Sequence, residues 1–308
     1  MTNNPIYAVL DLGTNTFHLL IAEIKEGKIH KITHAEEGVK LGEGGIAVGI
    51  ITEPAFNRGI EALKKIAEKI KGFKVEKVRA VGTAALRSAK NGGEFIETVR
   101  NLTGIEIELI EGWLEAELIY TGVKHALEID DNSLIIDIGG GSVEFVFCNP
   151  TGILWKKSFP IGAAKLTAFF HHADPISKEE VAEMHGFFRE QLQELTPVIK
   201  RYRPETLIGS AGAFESFAAL CAKADSLPLD LSKQTSFSFN LDTFNRVAVN
   251  LLKTTHAQRE AMPDIIPVRV DMIISATVLT QYILELTKVR EMKLSTFALK
   301  EGLLYSLA

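Results

Sequence analysis

Two segments of this chain carry a carboxylate, a glycine-containing turn and a hydroxyl residue in matching order. They are Asp11-Leu-Gly13-Thr14-Asn15-Thr16 and Asp137-Ile-Gly139-Gly140-Gly141-Ser142. Each Asp closes an apolar run, and each turn leads into another, from Phe17 and from Val143. A single turn of this kind has an ordinary explanation, because Asp and Gly are common hairpin residues. Two in matched context, 126 residues apart with Gly13 over Gly139, Asn15 over Gly141, Thr16 over Ser142 and His18 over Glu144, point to a duplicated phosphate grip. Consecutive amides of a Gly-rich turn converge on one centre and bind anions. A carboxylate ending the preceding strand can anchor a magnesium ion that bridges phosphate oxygens. Facing each other across a cleft, two such turns would hold a polyphosphate from both sides.

Two further carboxylates stand beside this pattern. Glu144 alternates with Val143 and Phe145 in a strand and shares a face with Ser142, so it is either a site residue or the solvated acid of an edge strand. Glu115 lies next to the apolar stripe Leu118, Ile119 and Gly122 of a helix. Partial desolvation there would raise its pKa and suit a general base acting on water. The other reading is an interfacial Glu paired with a basic residue. His30 and His34 sit in a strand, where they would share a face too far apart to chelate, and the pair His171-His172 lacks metal-ligand spacing.

The elements that must position these residues read as two repeats of strands followed by helices. Strands are expected at Tyr7–Asp11, from Phe17 to Ile24, and at Lys28–Glu36, Val75–Val81 and Ile105–Ile110, with helices at Glu53–Lys71, Gly93–Leu102 and Glu111–Leu127. Glu128 and the residues after it form a candidate hinge. The second half gives strands at Leu134–Asp137, from Val143, at Ile153–Phe159 and at Thr206–Ser210, the last meeting a glycine turn at Gly212. Helices follow from Ser177, with Glu180 in a capping box, and at Asp242–Thr255, Val268–Leu286 and Phe297–Leu307, with an irregular loop from Pro228 to Ser238. The fold class is α/β, with an N-terminal domain over 1–126 and a C-terminal domain over 127–308, the helix 297–308 packing back onto the first. A repeat of this length implies two related domains rather than a solenoid.

Composition sets the outer limits. The 308 residues are 46% hydrophobic and 24% charged, enough for two ordinary globular cores. A net charge of −5 argues against binding nucleic acid polymers or anionic membrane. Two widely separated cysteines, Cys148 and Cys221, exclude a disulfide scaffold and favour the cytoplasm, and the N-terminus lacks the features of a signal peptide.

At Asp11-LGTNTFH, Val39-KLGEG, Gly82-TAALRSAKNG, Gly112-WLEAELIYTGV, Asp137-IGGGSVE and Lys300-EGLLY, the chain resembles the exopolyphosphatase / guanosine pentaphosphate phosphohydrolase (Ppx/GppA) family, nearly end to end. The resemblance implies two ribonuclease-H-like domains of the actin-like ATPase and sugar kinase superfamily, with mixed sheets flanked by helices around a cleft. It implies that Glu115 activates water, and that Asp137 and Glu144 form the catalytic and metal site with Asp11 opposite. Mg2+ (or Mn2+) is the implied cofactor. Phosphates would be held by Gly13, Thr14, Asn15, Thr16, Gly139, Gly140, Gly141 and Ser142, with Arg87 and Gly212 as further contacts, and a homodimer is in keeping with the family. Leu114, Glu117, Val143, Ala213, Lys40 and Lys300 depart from the family's usual residues. The expected activity is release of terminal orthophosphate from inorganic polyphosphate, with guanosine pentaphosphate (pppGpp) as the nearest alternative substrate. A sugar-kinase-like phosphotransferase and a non-catalytic alarmone-binding protein are the rival readings.

Overall fold

The computed structural model describes residues 5–210 and 212–307. Residues 1–4 of the expected first domain, Ala211 of the turn before Gly212, and Ala308 of the expected last helix lie outside them. The chain divides into two compact units, Met1–Gly122 with Leu299–Ala308, and Val123–Ala298. The sequence reading set its boundary after Ala126.

In unit 1, β1 (Ile6–Leu12), β2 (Thr16–Lys25) and β3 (Lys28–Gly38) form an antiparallel meander. After α1 (Glu53–Lys71), β4 (Lys77–Gly82) returns parallel to β1. After α2 (Ala84–Ser88) and α3 (Gly92–Thr103), β5 (Ile107–Leu109) pairs parallel with β4. The sheet order is β3-β2-β1-β4-β5. Alternate residues Ala8, Leu10 and Leu12 of β1 and Phe17, Leu19 and Ile21 of β2 enter one core, which α1 closes with Ile60, Leu63 and Ile66 at helical spacing. Phe95 of α3 meets Phe17 and Phe56 edge-on, with ring centroids at 6.4 and 5.1 Å.

Unit 2 repeats the plan. Following α4 (Gly112–Ala126), which carries the unit boundary, β6 (Ser133–Ile138), β7 (Val143–Asn149) and β8 (Gly152–Phe159) form a second meander. Three helices, α5 (Ala163–Phe170), α6 (Lys178–Gln191) and α7 (Leu195–Tyr202), lead to β9 (Thr206–Ser210), parallel to β6. Then come α8 (Gly212–Ala224), β10 (Ser236–Phe239), α9 (Leu241–Leu251), α10 (His256–Glu260), α11 (Ile273–Thr287) and β11 (Glu291–Ser295). The sheet order is β10-β11-β9-β6-β7-β8. Both sheets therefore carry a hairpin-linked third-second-first strand series followed by a parallel neighbour, the ribonuclease-H-like arrangement. Helix α11 is buried along Ile273–Thr280, as its nearly continuous apolar sequence demands.

The last helix, α12 (Leu299–Tyr305), packs on β1 and β2 of unit 1. Its Gly302 lies against the backbone of α4, so that a Cβ there would sit 1.8 Å from the carbonyl oxygen of Leu118. Gly302→Ala must therefore force the two helices apart. It is expected to destabilise unit 1 by about 1–3 kcal/mol, the usual cost of overpacking, seen as a lower Tm. An unchanged Tm would contradict this packing.

Several elements differ from expectation for local reasons. The helix expected to run to Thr255 stops at Leu251, because Thr255 is the N-cap of α10 in a capping box with Gln258. The helix expected from Val268 begins at Ile273, after a 3-10 turn at Pro267–Arg269. The end of the expected irregular loop, Ser236 to Ser238, belongs with Phe239 to an edge strand, and β11 is a strand that no local pattern announces. The capping box of Ser177 and Glu180 opens α6 as expected.

Candidate active site

Asp137, the penultimate residue of β6, lies directly opposite Glu144 of β7. Opposed residues of neighbouring strands project to the same face, so the two carboxylates stand side by side. Glu144 is 2% exposed and its strand lies between β6 and β8, which removes the reading of a solvated edge-strand acid. Burial of a carboxylate requires hydrogen-bond donors, and the same rung provides them. Ser158 Oγ of β8 donates to Glu144 Oε1 at 2.6 Å, and Ser210 Oγ of β9 donates to Asp137 Oδ2 at 2.5 Å. The row continues through Ser295 and Ser236, giving a polar line across the whole sheet.

Unit 1 has the corresponding rung. Asp11 of β1 faces His18 of β2, His18 faces Glu36 of β3, and Val81 of β4 occupies the place that Ser210 takes beside Asp137. The duplication is thus structural as well as sequential, but the copies differ: one couples Asp to Glu with a serine on each flank, the other couples Asp to His beside a valine.

The turns are built alike. A Cβ on Gly13 would lie 3.0 Å from Thr16 O, and one on Gly139 would lie 3.0 Å from Ser142 O. The Gly13 amide donates to Thr16 O at 3.1 Å, so it closes its turn instead of reaching outward as the sequence reading supposed. Each turn is held from behind through its carbonyls. Val39 N and Lys40 N donate to Asn15 O, and Gly42 N to Thr14 O. In unit 2, Ala163 N donates to Gly139 O and Ala164 N to Gly140 O, at 2.8 and 3.0 Å. Because a carbonyl shares its peptide plane with the next amide, this tethering fixes the orientation of the amides of Asn15, Thr16, Gly140 and Gly141.

Glu115 stands in the first turn of α4 and is 6% exposed. Arg87 of α2 reaches it, with Nη1 3.2 Å from Glu115 Oε2, and the same nitrogen donates to Ile110 O at 2.7 Å. Glu115 is therefore both a buried carboxylate and the partner of a basic residue. Gly212, at φ +46, opens α8, and its carbonyl accepts from Arg269 Nη1, which also meets Glu215 Oε2 at 2.9 Å.

The remaining candidates fall away. A β-bulge between Ile21 and Ala22 of the β2–β3 ladder sets His34 opposite Leu20 and His30 opposite Glu23, so the two histidines occupy opposite faces and not a shared one. Burial, followed by the charge of Lys31, depresses the His34 pKa. His171 is depressed by burial and then by Arg259. Burial pushes the thiols of Cys148 and Cys221 up to about 12, which leaves them inert near neutral pH.

Ser158 escaped the sequence reading altogether. Counting back from the Asn149–Gly152 pair would set Lys157 opposite Glu144; a bulge between Phe147 and Cys148 moves Ser158 into that place. Arg269 was also missed, since nothing local in Pro267-Val-Arg269 announces a contact with Gly212.

The model of the Ppx/GppA phosphatase family matches residues 20–308. The chain belongs to this family. Among relatives of the Ppx/GppA protein, an exopolyphosphatase from Cytophaga hutchinsonii known from a crystal structure is 40% identical, with 98% of this chain and 97% of that one covered at a TM-score of 0.95. A putative exopolyphosphatase of Haemophilus influenzae is 27% identical over 300 residues, 97% of this chain and 90% of that protein. A guanosine-5'-triphosphate,3'-diphosphate pyrophosphatase of Aliivibrio fischeri is 27% identical over 310 residues, 99% of this chain but 60% of that protein. Among the described residues, no helix is long and apolar enough to cross a membrane.

Proposed function

We propose that this Ppx/GppA protein is a cytoplasmic exopolyphosphatase, which removes orthophosphate from the end of inorganic polyphosphate by attack of water. The observation that carries the reading is the pair of facing carboxylates Asp137 and Glu144, the latter buried, held in place by Ser210 and Ser158 at the mouth of a tethered glycine turn.

These donors suit Mg2+ (or Mn2+). They are hard carboxylate oxygens, and Mg2+ is typically held by one or two carboxylates together with waters and substrate phosphates rather than by an all-protein cage. Among the described residues no group of three His, Cys, Asp or Glu could hold a metal by itself, which is compatible with that mode. Bound at Asp137 and Glu144, the ion would neutralise charge on the transferring phosphoryl group. The protein's own groups do the rest. Glu115 takes the proton of the attacking water, and Arg87 fixes the orientation of its carboxylate. Amides of Thr14 to Thr16 and of Gly140 to Ser142 receive phosphate oxygens, and Asp11 serves as the unit 1 counterpart of Asp137.

The relationship to the Aliivibrio protein supports a second substrate, guanosine pentaphosphate, whose terminal phosphoanhydride is the same bond on a nucleoside. Incubation with Mg2+ and long-chain polyphosphate, followed by product analysis, tests the main reading. Orthophosphate and gradually shortened chains are expected. Mid-length fragments without orthophosphate, or no product from either polyanion, would overturn it.

A further inference from the structure

Arg58 projects from α1 with its side chain 40% exposed. Its guanidinium gathers one loop. Nε donates to Val39 O at 2.9 Å, Nη2 donates to Lys40 O at 3.2 Å, and Nη2 also donates to Glu43 Oε2 at 2.7 Å. The gathered segment is the one whose amides tether the first glycine turn. Val39 N reaches Asn15 O at 2.9 Å, Lys40 N reaches the same oxygen at 2.8 Å, and Gly42 N reaches Thr14 O at 3.2 Å. One side chain thus sits behind three hydrogen bonds that set where the turn's amides point.

Lys40 shows that this arrangement is imposed. It is a non-glycine residue at φ +49, in the left-handed region that costs energy for any residue with a Cβ. Such a conformation persists where the surroundings over-determine it, typically beside functional groups. Here the Lys40 amide is held by Asn15 and its carbonyl by Arg58, one bond on each side of the strained residue. Arginine suits the task because its rigid, planar fork of donors is pre-organised to meet two successive carbonyls and a carboxylate together, whereas a lysine ammonium is a compact charge on a flexible stem.

We propose that Arg58 is a positioning residue for phosphate binding: it acts through the Val39–Gly42 segment to hold the amides of Asn15 and Thr16 in place for the substrate's phosphate oxygens. The proposal rests on the reading of the first turn as a phosphate grip, and it touches no reacting atom.

Three variants test it: Arg58→Ala, Arg58→Lys and Glu43→Gln. The readouts are amide hydrogen exchange over residues 13–16 and 39–42, Tm, and separate kcat and KM values for polyphosphate with Mg2+. In Arg58→Ala, exchange of the Val39, Lys40 and Gly42 amides should rise about tenfold or more, in proportion to the loss of charged hydrogen bonds. KM should rise by about the same factor while kcat stays within about threefold, the pattern of lost binding rather than lost chemistry. Arg58→Lys should fall between Ala and wild type, and Glu43→Gln should match wild type because both carbonyl contacts remain. An unchanged KM, or faster exchange spread evenly through unit 1 with a lower Tm, would overturn the proposal by showing Arg58 to be an ordinary structural contact. If wild-type protein hydrolyses no polyanion, the functional reading fails separately, and the exchange pattern with tripolyphosphate as the bound probe still decides the case for Arg58: protection of residues 13–16 that Arg58→Ala abolishes supports it, and protection that persists refutes it.

Discussion

Glu115→Gln is expected to lower kcat on polyphosphate on the order of a thousandfold, within the range lost when a general base is removed. The substitution keeps the size and shape of the side chain at a site that is 6% exposed, so it creates no cavity and need not disturb α4. What it removes is the carboxylate to which the proposed mechanism gives the role of proton acceptor. It also removes the negative charge facing Arg87, whose Nη1 keeps its bond to Ile110 O. Binding of polyphosphate should accordingly remain within a few-fold of wild type, and the loss should appear in kcat. Phosphate release under single-turnover conditions separates binding from chemistry. A rate near that of wild type would remove Glu115 from the role of base.

The second large effect is expected at the paired carboxylates of unit 2. Asp137→Asn and Glu144→Gln should each raise the Mg2+ concentration needed for half-maximal activity about a hundredfold or more, since even residues behind a metal ligand cost ten- to a hundredfold in affinity. Glu144→Gln also alters the rung locally, because Ser158 Oγ donates to the carboxylate oxygen that the amide would replace or displace. Asp11→Asn in unit 1 is the informative comparison. Its rung offers His18 and Val81 where the other offers Glu144 and Ser210, so its effect on the metal requirement should be the smaller. Titration of activity with Mg2+ and direct calorimetric titration of the metal both read this out. Equal effects at Asp11 and Asp137 would contradict the division of labour between the two copies.

Much of this was legible before any coordinates, because duplication amplifies weak signals. A single Asp-x-Gly turn says little, whereas two in register located both β1–β2 and β6–β7 and paired His18 with Glu144. Helix α1 was readable to its limits, since its apolar residues recur at helical spacing and its ends are marked by Thr52 with Pro54 and by Gly72. What stayed hidden depends on contacts distant in sequence. Ser158 reaches Glu144 only through a bulge, and His30 and His34 part ways through another. Strand β10 is four residues at a sheet edge, too short for alternation to be distinguished from a loop. Arg58 looks like any solvent-facing cation of an amphipathic helix until the loop it grips is known. Local pattern thus pointed to the candidate residues, and the sheet register revealed what holds them.

The central claim is that the rung at Asp137 and Glu144 serves hydrolysis of a terminal phosphate on a simple polyanion. The most direct test is kcat/KM for long-chain polyphosphate and for guanosine pentaphosphate, measured on one preparation at fixed Mg2+ by orthophosphate release. The account predicts turnover of both, with polyphosphate favoured, and loss of both with EDTA. Phosphate release that persists at full rate in EDTA, or turnover of guanosine pentaphosphate alone, would contradict it.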